Sequence, residues 1–213
     1  MTRRGRVGGP RLLACAALLT LAGCVGTSRP SRFYTLAPLE VPDGPGFTGA
    51  DATLAVGPIE LPDYLDRQQI VTRAGTNELV VANFDRWGGS LEREITRSLV
   101  ATLADRLAAR KVLVSAWRSA TLPAVASSYR AAVSISRFDG VLGRAVVLHA
   151  RWELVAERGE EAKSLAVRDA TVTEKVDGAD YGALVAAMQR ALVRFGQEMA
   201  EGIAAATRIE SAP

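Results

Sequence analysis

The sequence predicts a single two-layer α+β domain, a mostly antiparallel sheet with two long amphipathic helices packed on one face. Three observations carry that reading. Leu91, Ile95, Leu99, Leu103 and Leu107 recur every four residues, and Leu184, Met188, Leu192, Phe195, Met199 and Ile203 recur at steps of three or four. Both spacings line one face of a helix. Between the two stripes, residues 129–174 hold three segments rich in alternating apolar and polar residues, the period of a strand with one dry face. The order of strands, helix, strands and helix then places both helices against sheet.

The chain opens with Arg3, Arg4, Arg6 and Arg11 around the start of an apolar run from Leu12 to Ala22. That run is shorter than the roughly 20 residues a membrane-spanning helix needs and has the proportions of a secretory signal. Gly5-Arg6-Val7 after Arg3-Arg4 lacks the hydrophobic follow-up of a twin-arginine signal. The run closes in Leu21-Ala22-Gly23-Cys24. Two small residues fit a peptidase in extended form, and the sulfur that follows is the nucleophile a diacylglyceryl group requires. This looks like a complete lipobox. The competing reading is a plain signal peptide with a cysteine nearby; position, flanks and residue sizes favour the lipobox. Residues 1–23 are therefore expected to be removed and Cys24 to be the lipid anchor. Two or more acyl chains hold a protein stably, at about 0.8 kcal/mol per buried methylene. Val25 follows in place of aspartate, which resembles the default routing of Gram-negative lipoproteins to the outer membrane.

Composition narrows the function. The chain has 26 basic and 23 acidic residues. Four of the basic residues and none of the acidic ones precede Cys24, leaving 22 against 23 in the remaining 190 residues. So even a balance lacks the electrostatic footprint of a nucleic-acid binder. The two cysteines are Cys15, inside the signal, and Cys24, so no thiol remains for a disulfide, a metal or catalysis. Burial alone must hold the domain, and this length suffices for one core.

Residues 24–32 read as an acylated N-terminus and short tether, with Gly26, Thr27, Ser28, Pro30 and Ser31. At ~3.5 Å per residue the nine steps from Cys24 to Phe33 reach about 30 Å, so the domain should lie against its membrane. The domain itself is expected over residues 33–206, with a tail at 207–213. Phe33 to Leu36 reads as a first strand, and residues 40–50 as a Pro/Gly-rich loop. That loop contains Gly44-Pro45-Gly46-Phe47-Thr48-Gly49, a literal dinucleotide fingerprint without the preceding strand and following helix its mechanism needs. Thr53 to Leu61 reads as a strand interrupted at Gly57-Pro58, an edge or a bulge. Ile70 to Thr72 and Leu79 to Val81 flank Ala74-Gly75-Thr76-Asn77 as a hairpin. Gly88-Gly89-Ser90 offers a break and a cap for a helix running to about Ala109. Lys111 to Ser115 is a short strand and residues 119–128 a loop. Tyr129 to Phe138 follows as a strand, with a turn beginning at Asp139-Gly140. Val146 to Leu154 and Lys163 to Glu174 complete a meander, and Asp180 caps the last helix.

Little in this chain suits catalysis. His149 is its one histidine; it falls on the wetter face of a strand, where a surface role is expected. There is no Gly-x-Ser-x-Gly. Asp63 with Asp66, and Glu160 with Glu161, are carboxylate pairs in loops and turns, where such pairs are solvated. No catalytic residue, metal site or cofactor is expected.

Ile59-Glu60-Leu61-Pro62-Asp63-Tyr64-Leu65-Asp66-Arg67-Gln68-Gln69-Ile70-Val71 is the most distinctive stretch. Together with the lipobox, Phe33-Tyr34-Thr35-Leu36, Asn83-Phe84-Asp85-Arg86-Trp87 and Ser136-Arg137-Phe138-Asp139-Gly140, it resembles the PqiC/YmbA-type auxiliary lipoproteins of ABC transporters. The resemblance implies an outer-membrane lipoprotein facing the periplasm. It implies work with an MCE-domain protein and an ABC transporter in moving lipids between the two membranes, in support of envelope integrity. It supplies no catalytic residues. A domain that caps a tube formed by a symmetric partner also gives the expectation of a homo-oligomeric ring. The chain departs from the family in its richness in alanine and arginine and in the Gly44-to-Gly49 loop, which leaves the transporter and lipid open. Within the distinctive stretch, Pro62 ends a strand, Tyr64 and Leu65 can pin a turn to the core, and Asp66 and Arg67 can pair or face a partner. Tyr64, Leu65, Asp66 and Arg67 are thus the candidate docking residues, with a turn lock that meets no partner as the alternative. An envelope scaffold or assembly chaperone without cargo is the other reading of the whole chain.

Overall fold

The computed structural model describes residues 29–36, 51–108, 111–117, 127–159 and 161–210. The signal, Cys24, the Gly44-to-Gly49 loop and Glu160 lie outside them. The elements are β1 (Arg32–Tyr34), β2 (Ala52–Glu60), β3 (Gln69–Arg73), β4 (Leu79–Trp87), α1 (Leu91–Leu107), β5 (Val112–Ala116), β6 (Ser127–Val141), β7 (Ala145–Arg158), β8 (Glu161–Lys175) and α2 (Tyr181–Glu210). The class is α+β, with both helices on the larger sheet. α2 packs on β6, β7 and β8, α1 packs on β2 and β5, and the helices pack on each other.

Both helical stripes are dry. Leu91, Ile95, Leu99, Leu103 and Leu107 are buried, as are Leu184, Met188, Leu192, Phe195, Met199 and Ile203. Ser90 caps α1 by accepting from the Arg93 N–H at 3.4 Å, and Asp180 caps α2 by accepting from the Ala183 N–H at 2.8 Å. Each cap satisfies a donor that the first turn of a helix leaves without an internal partner. α2 continues to Glu210, into the stretch read from the sequence as a tail, because Ala204-Ala205-Ala206 favours helix.

The strands form two sheets where one was expected. One has the order β1-β4-β3, the other β5-β2-β6-β7-β8. β6, β7 and β8 form the expected antiparallel meander, but β2 lies parallel to both β5 and β6. Parallel neighbours need a crossover connection, and here β3, β4 and α1 lie between β2 and β5. Periodicity reports which face of a strand is dry and not which strand lies beside it, so the division was not legible. The interruption at Gly57-Pro58 is a bulge inside β2, with a cis peptide bond and a register shift between Val56 and Ile59. Gly57 has φ +122°, and a Cβ there would lie 2.9 Å from the Trp117 Cβ.

Asp139-Gly140 does not begin a turn. Both residues belong to β6, and the reversal follows them, with the Arg144 N–H donating to the Val141 carbonyl at 3.0 Å. Gly140 is present because neighbours crowd it: a Cβ would meet the Ala145 carbonyl oxygen at 2.7 Å and a Val146 methyl at 2.9 Å. Gly140→Ala is therefore expected to cost about 1–3 kcal/mol through overpacking, read as a lower urea midpoint. An unchanged midpoint would mean the strand end yields freely.

Candidate functional site

The distinctive stretch folds as a tight turn between β2 and β3. The Leu65 N–H donates to the Pro62 carbonyl at 2.9 Å and the Asp66 N–H to the Asp63 carbonyl at 3.2 Å, while the Trp87 N–H reaches back to Gln68 at 2.7 Å. Leu65 is buried in the core. The Tyr64 hydroxyl donates to Asp139 Oδ2 at 2.9 Å, on β6 of the larger sheet. Asp66 and Arg67 are exposed.

Asp139 is the centre of this lock. Its side chain is 0% exposed, and three residues supply its donors. Arg73 donates from Nε to Oδ1 at 3.0 Å and from Nη2 to Oδ2 at 2.8 Å, and Arg137 donates from Nε to Oδ1 at 3.0 Å. Burial opposes the charge, but the hydrogen bonds of Arg73 and Tyr64 and the charge of Arg137 hold the carboxyl below its ordinary value. Burial, then the bond to Asp139, pushes Tyr64 up to about 12, so the phenol remains a neutral donor. The Arg73 guanidinium is stabilised further by the same bond to Asp139.

A second lock stands where the tether joins the domain. Asp85, buried on β4, accepts from the Tyr34 hydroxyl at 2.8 Å and pairs with Arg32 at 2.8 Å. Burial, then Asp85, pushes Tyr34 up to about 12. β1 also receives the Gly88 N–H at the Tyr34 carbonyl, at 2.7 Å. Asp85→Ala is expected to free this short edge strand. Faster amide exchange over residues 32–34, with the helices unaffected, is the readout; equal exchange would place the hold on β1 elsewhere.

The remaining sequence candidates lie apart from these locks. His149, half-buried, sits opposite Arg137 on neighbouring strands. Asp63 and Glu161 are exposed. A groove of about 770 Å³ opens at the start of α1, between the Gly57-Pro58 bulge, Arg93, Arg97 and Trp117. Glu94 beside it is buried, bonded to Arg97 and to the Leu36 N–H at 3.3 Å. That arrangement joins the residues after β1 to the first turn of α1. Among the described residues no three His, Cys, Asp or Glu side chains converge as a metal site would need. No helix among them is long and apolar enough to cross a membrane.

The family model for the ABC-type transport auxiliary lipoprotein component matches residues 34–200. The chain belongs to that family. The match includes both locks, Tyr34 with Asp85 and Tyr64 with Asp139. The chain is 25% identical over 142 residues to the intermembrane transport lipoprotein PqiC of Escherichia coli K12, covering 67% of this chain and 72% of that protein. PqiC of Shigella flexneri matches equally. A crystal structure from Xanthomonas campestris shares the fold with TM-score 0.64 at 19% identity, covering 85% of this chain and 99% of its own. Another solved structure gives 0.65 at 22%, covering 82% and 99%. This is an auxiliary lipoprotein of the PqiC/YmbA type.

Within that family fold, sequence reasoning singled out Tyr64 and Leu65 as able to pin the turn, but it missed what Tyr64 binds. The signal was an aspartate between Phe138 and Gly140, with Arg137 two residues before it and Arg73 far along the chain. Glu94 was missed as well; its only trace was Arg97 one helical turn later, the i,i+3 spacing of an ion pair.

Proposed function

We propose that this chain is a non-enzymatic outer-membrane lipoprotein of an MCE/ABC-type intermembrane lipid transport system. Cys24 carries its acyl anchor, and the domain docks the periplasmic MCE-domain partner at the outer membrane in support of envelope integrity. The observation that carries the docking surface is the division of labour in the turn after β2. Leu65 is buried and Tyr64 is bonded to Asp139, so the fold fixes the backbone. Asp66 and Arg67 then project from a rigid base with exposed charges. A charged pair held in place at low conformational cost suits recognition of a protein surface, where preorganisation reduces the entropy lost on binding. The domain self-associates into a ring on the end of its partner.

Charge reversal tests this directly. Asp66→Arg with Arg67→Asp is expected to leave the melting temperature within about 1–2 °C, as surface changes do, while abolishing co-purification with the MCE-domain protein from native envelopes. Full recovery of the complex by the folded variant would remove this turn from the docking surface.

A further inference from the structure

The large apolar side chains exposed among the described residues are Phe33, Leu79, Val80, Val81, Phe84, Trp117 and Val167. The first five lie on β1 and β4, two hydrogen-bonded strands of the smaller sheet. We propose that this exposed β1–β4 patch is a lipid-contacting surface, by which the domain lies on the bilayer that anchors it. The inference rests on the lipid anchor at Cys24 given under the proposed function.

Two features set this patch apart from ordinary surface. A half-buried strand exposes every second residue, yet Leu79, Val80 and Val81 are exposed in succession. Consecutive exposed β-branched and leucine side chains in a hairpin are an aggregation hazard unless something covers them. Phe33, at 66% exposure, is the most exposed large apolar residue among those described, and it stands at the junction of domain and tether.

The tether says what covers the patch. Phe33 is nine residues from Cys24, a reach of at most about 30 Å. Phe33 is in register with Arg86 of β4. From Arg86 to Leu79 at ~3.3 Å per residue is no more than about 23 Å. The whole patch therefore lies within reach of the surface in which the acyl chains are seated. Tethering makes contact with that surface intramolecular, so a weak patch suffices to keep the domain down. Its chemistry fits lipid as well. Protein hot spots favour Trp, Tyr and Arg, whereas these five side chains are Phe, Leu and Val. The smooth aliphatic and aromatic set matches acyl chains and calls for no specific polar partner.

The cysteine content makes the test clean. Cys15 leaves with the signal and the Cys24 sulfur is consumed as a thioether, so one introduced thiol can be labelled alone. Phe33→Cys, Val80→Cys and, as control, Val167→Cys on edge strand β8 are made in the full acylated chain. Each is labelled with a nitrobenzoxadiazole fluorophore and reconstituted in phosphatidylethanolamine–phosphatidylglycerol vesicles carrying nitroxide lipids. Flotation and melting temperature check insertion and fold. Quenching several-fold stronger at 33 and 80 than at 167 is expected, independent of the protein-to-lipid ratio. Equal quenching at all three positions overturns the inference while leaving the anchor intact. Shielding that grows with protein density, or comes only with the MCE-domain protein, overturns it in favour of a second copy or a protein partner. Failure to float with vesicles overturns the anchor itself and this inference with it.

Discussion

Asp139→Asn is expected to destabilise the domain by about 3–5 kcal/mol, the usual consequence of removing one member of a buried ionic cluster. The amide keeps the shape of the carboxylate but loses its charge and turns one oxygen into a donor facing donors. Arg73 and Arg137, with side chains 19% and 30% exposed, would lose their counter-charge, and the Tyr64 hydroxyl its acceptor. At roughly 2–4 °C per kcal/mol for a domain of this size, the melting temperature should fall by about 6–20 °C. Replacing Asp139, Arg73 and Arg137 together by leucine should cost less than Asp139→Asn alone, because no stranded charge remains. The effect is also pH-dependent. The folded-state carboxyl lies below its ordinary value, which is near 3.9 in an unfolded chain. Its stabilisation is therefore fully present above about pH 4 and is lost as pH falls through the folded value. Melting temperatures of wild type and Asp139→Asn should differ most at neutral pH and converge in acid. A gap that persists to the lowest pH at which wild type folds would show that charge is not what Asp139 contributes.

Phe195→Ala is expected to cost about 3–5 kcal/mol through lost transfer energy and the cavity left behind. Phe195 is 0% exposed on the face of α2 turned to the core, and the next residue, Gly196, brings α2 against α1. A Cβ on Gly196 would lie 2.9 Å from a Thr102 methyl, so the helices cannot slide together to refill the space. Urea denaturation of both variants beside Arg67→Ala, expected to change by less than about 0.5 kcal/mol, separates residues that hold the domain from residues that face outward. A loss below about 1 kcal/mol for Phe195→Ala would show that the α2 stripe is not seated as described.

Both helices were legible because a stripe at period 3.6 is local, and so were their caps, since Ser90 and Asp180 stand immediately before their stripes. The meander was legible for the same reason: alternation over Val146 to Leu154 marks one dry face without knowledge of any neighbour. What escaped was non-local. The parallel pairing of β2 with β5 and β6, and the separate sheet of β1, β4 and β3, depend on partners far along the chain. Asp139 escaped for a sharper reason. Asp-Gly is the strongest short turn signal, and only the arrival of Arg73 from the smaller sheet and Tyr64 from the turn before it makes it favourable to place that aspartate inside a strand. The turn at Pro62 to Arg67 was half legible. Leu65 is buried as its side chain suggested, while the bond from Tyr64 to Asp139 joins residues 75 positions apart, beyond any local signal.

In the proposed function, a thioether at Cys24 keeps a non-catalytic domain at the outer membrane, where it serves lipid transport. Cys24→Ser, expressed at native level in place of the wild type, tests it most directly through envelope fractionation paired with resistance to detergent. The expected result is a folded protein released to the soluble periplasmic fraction and an envelope as sensitive as one lacking the gene. A serine variant that still sediments with outer membrane and restores full resistance would contradict the account.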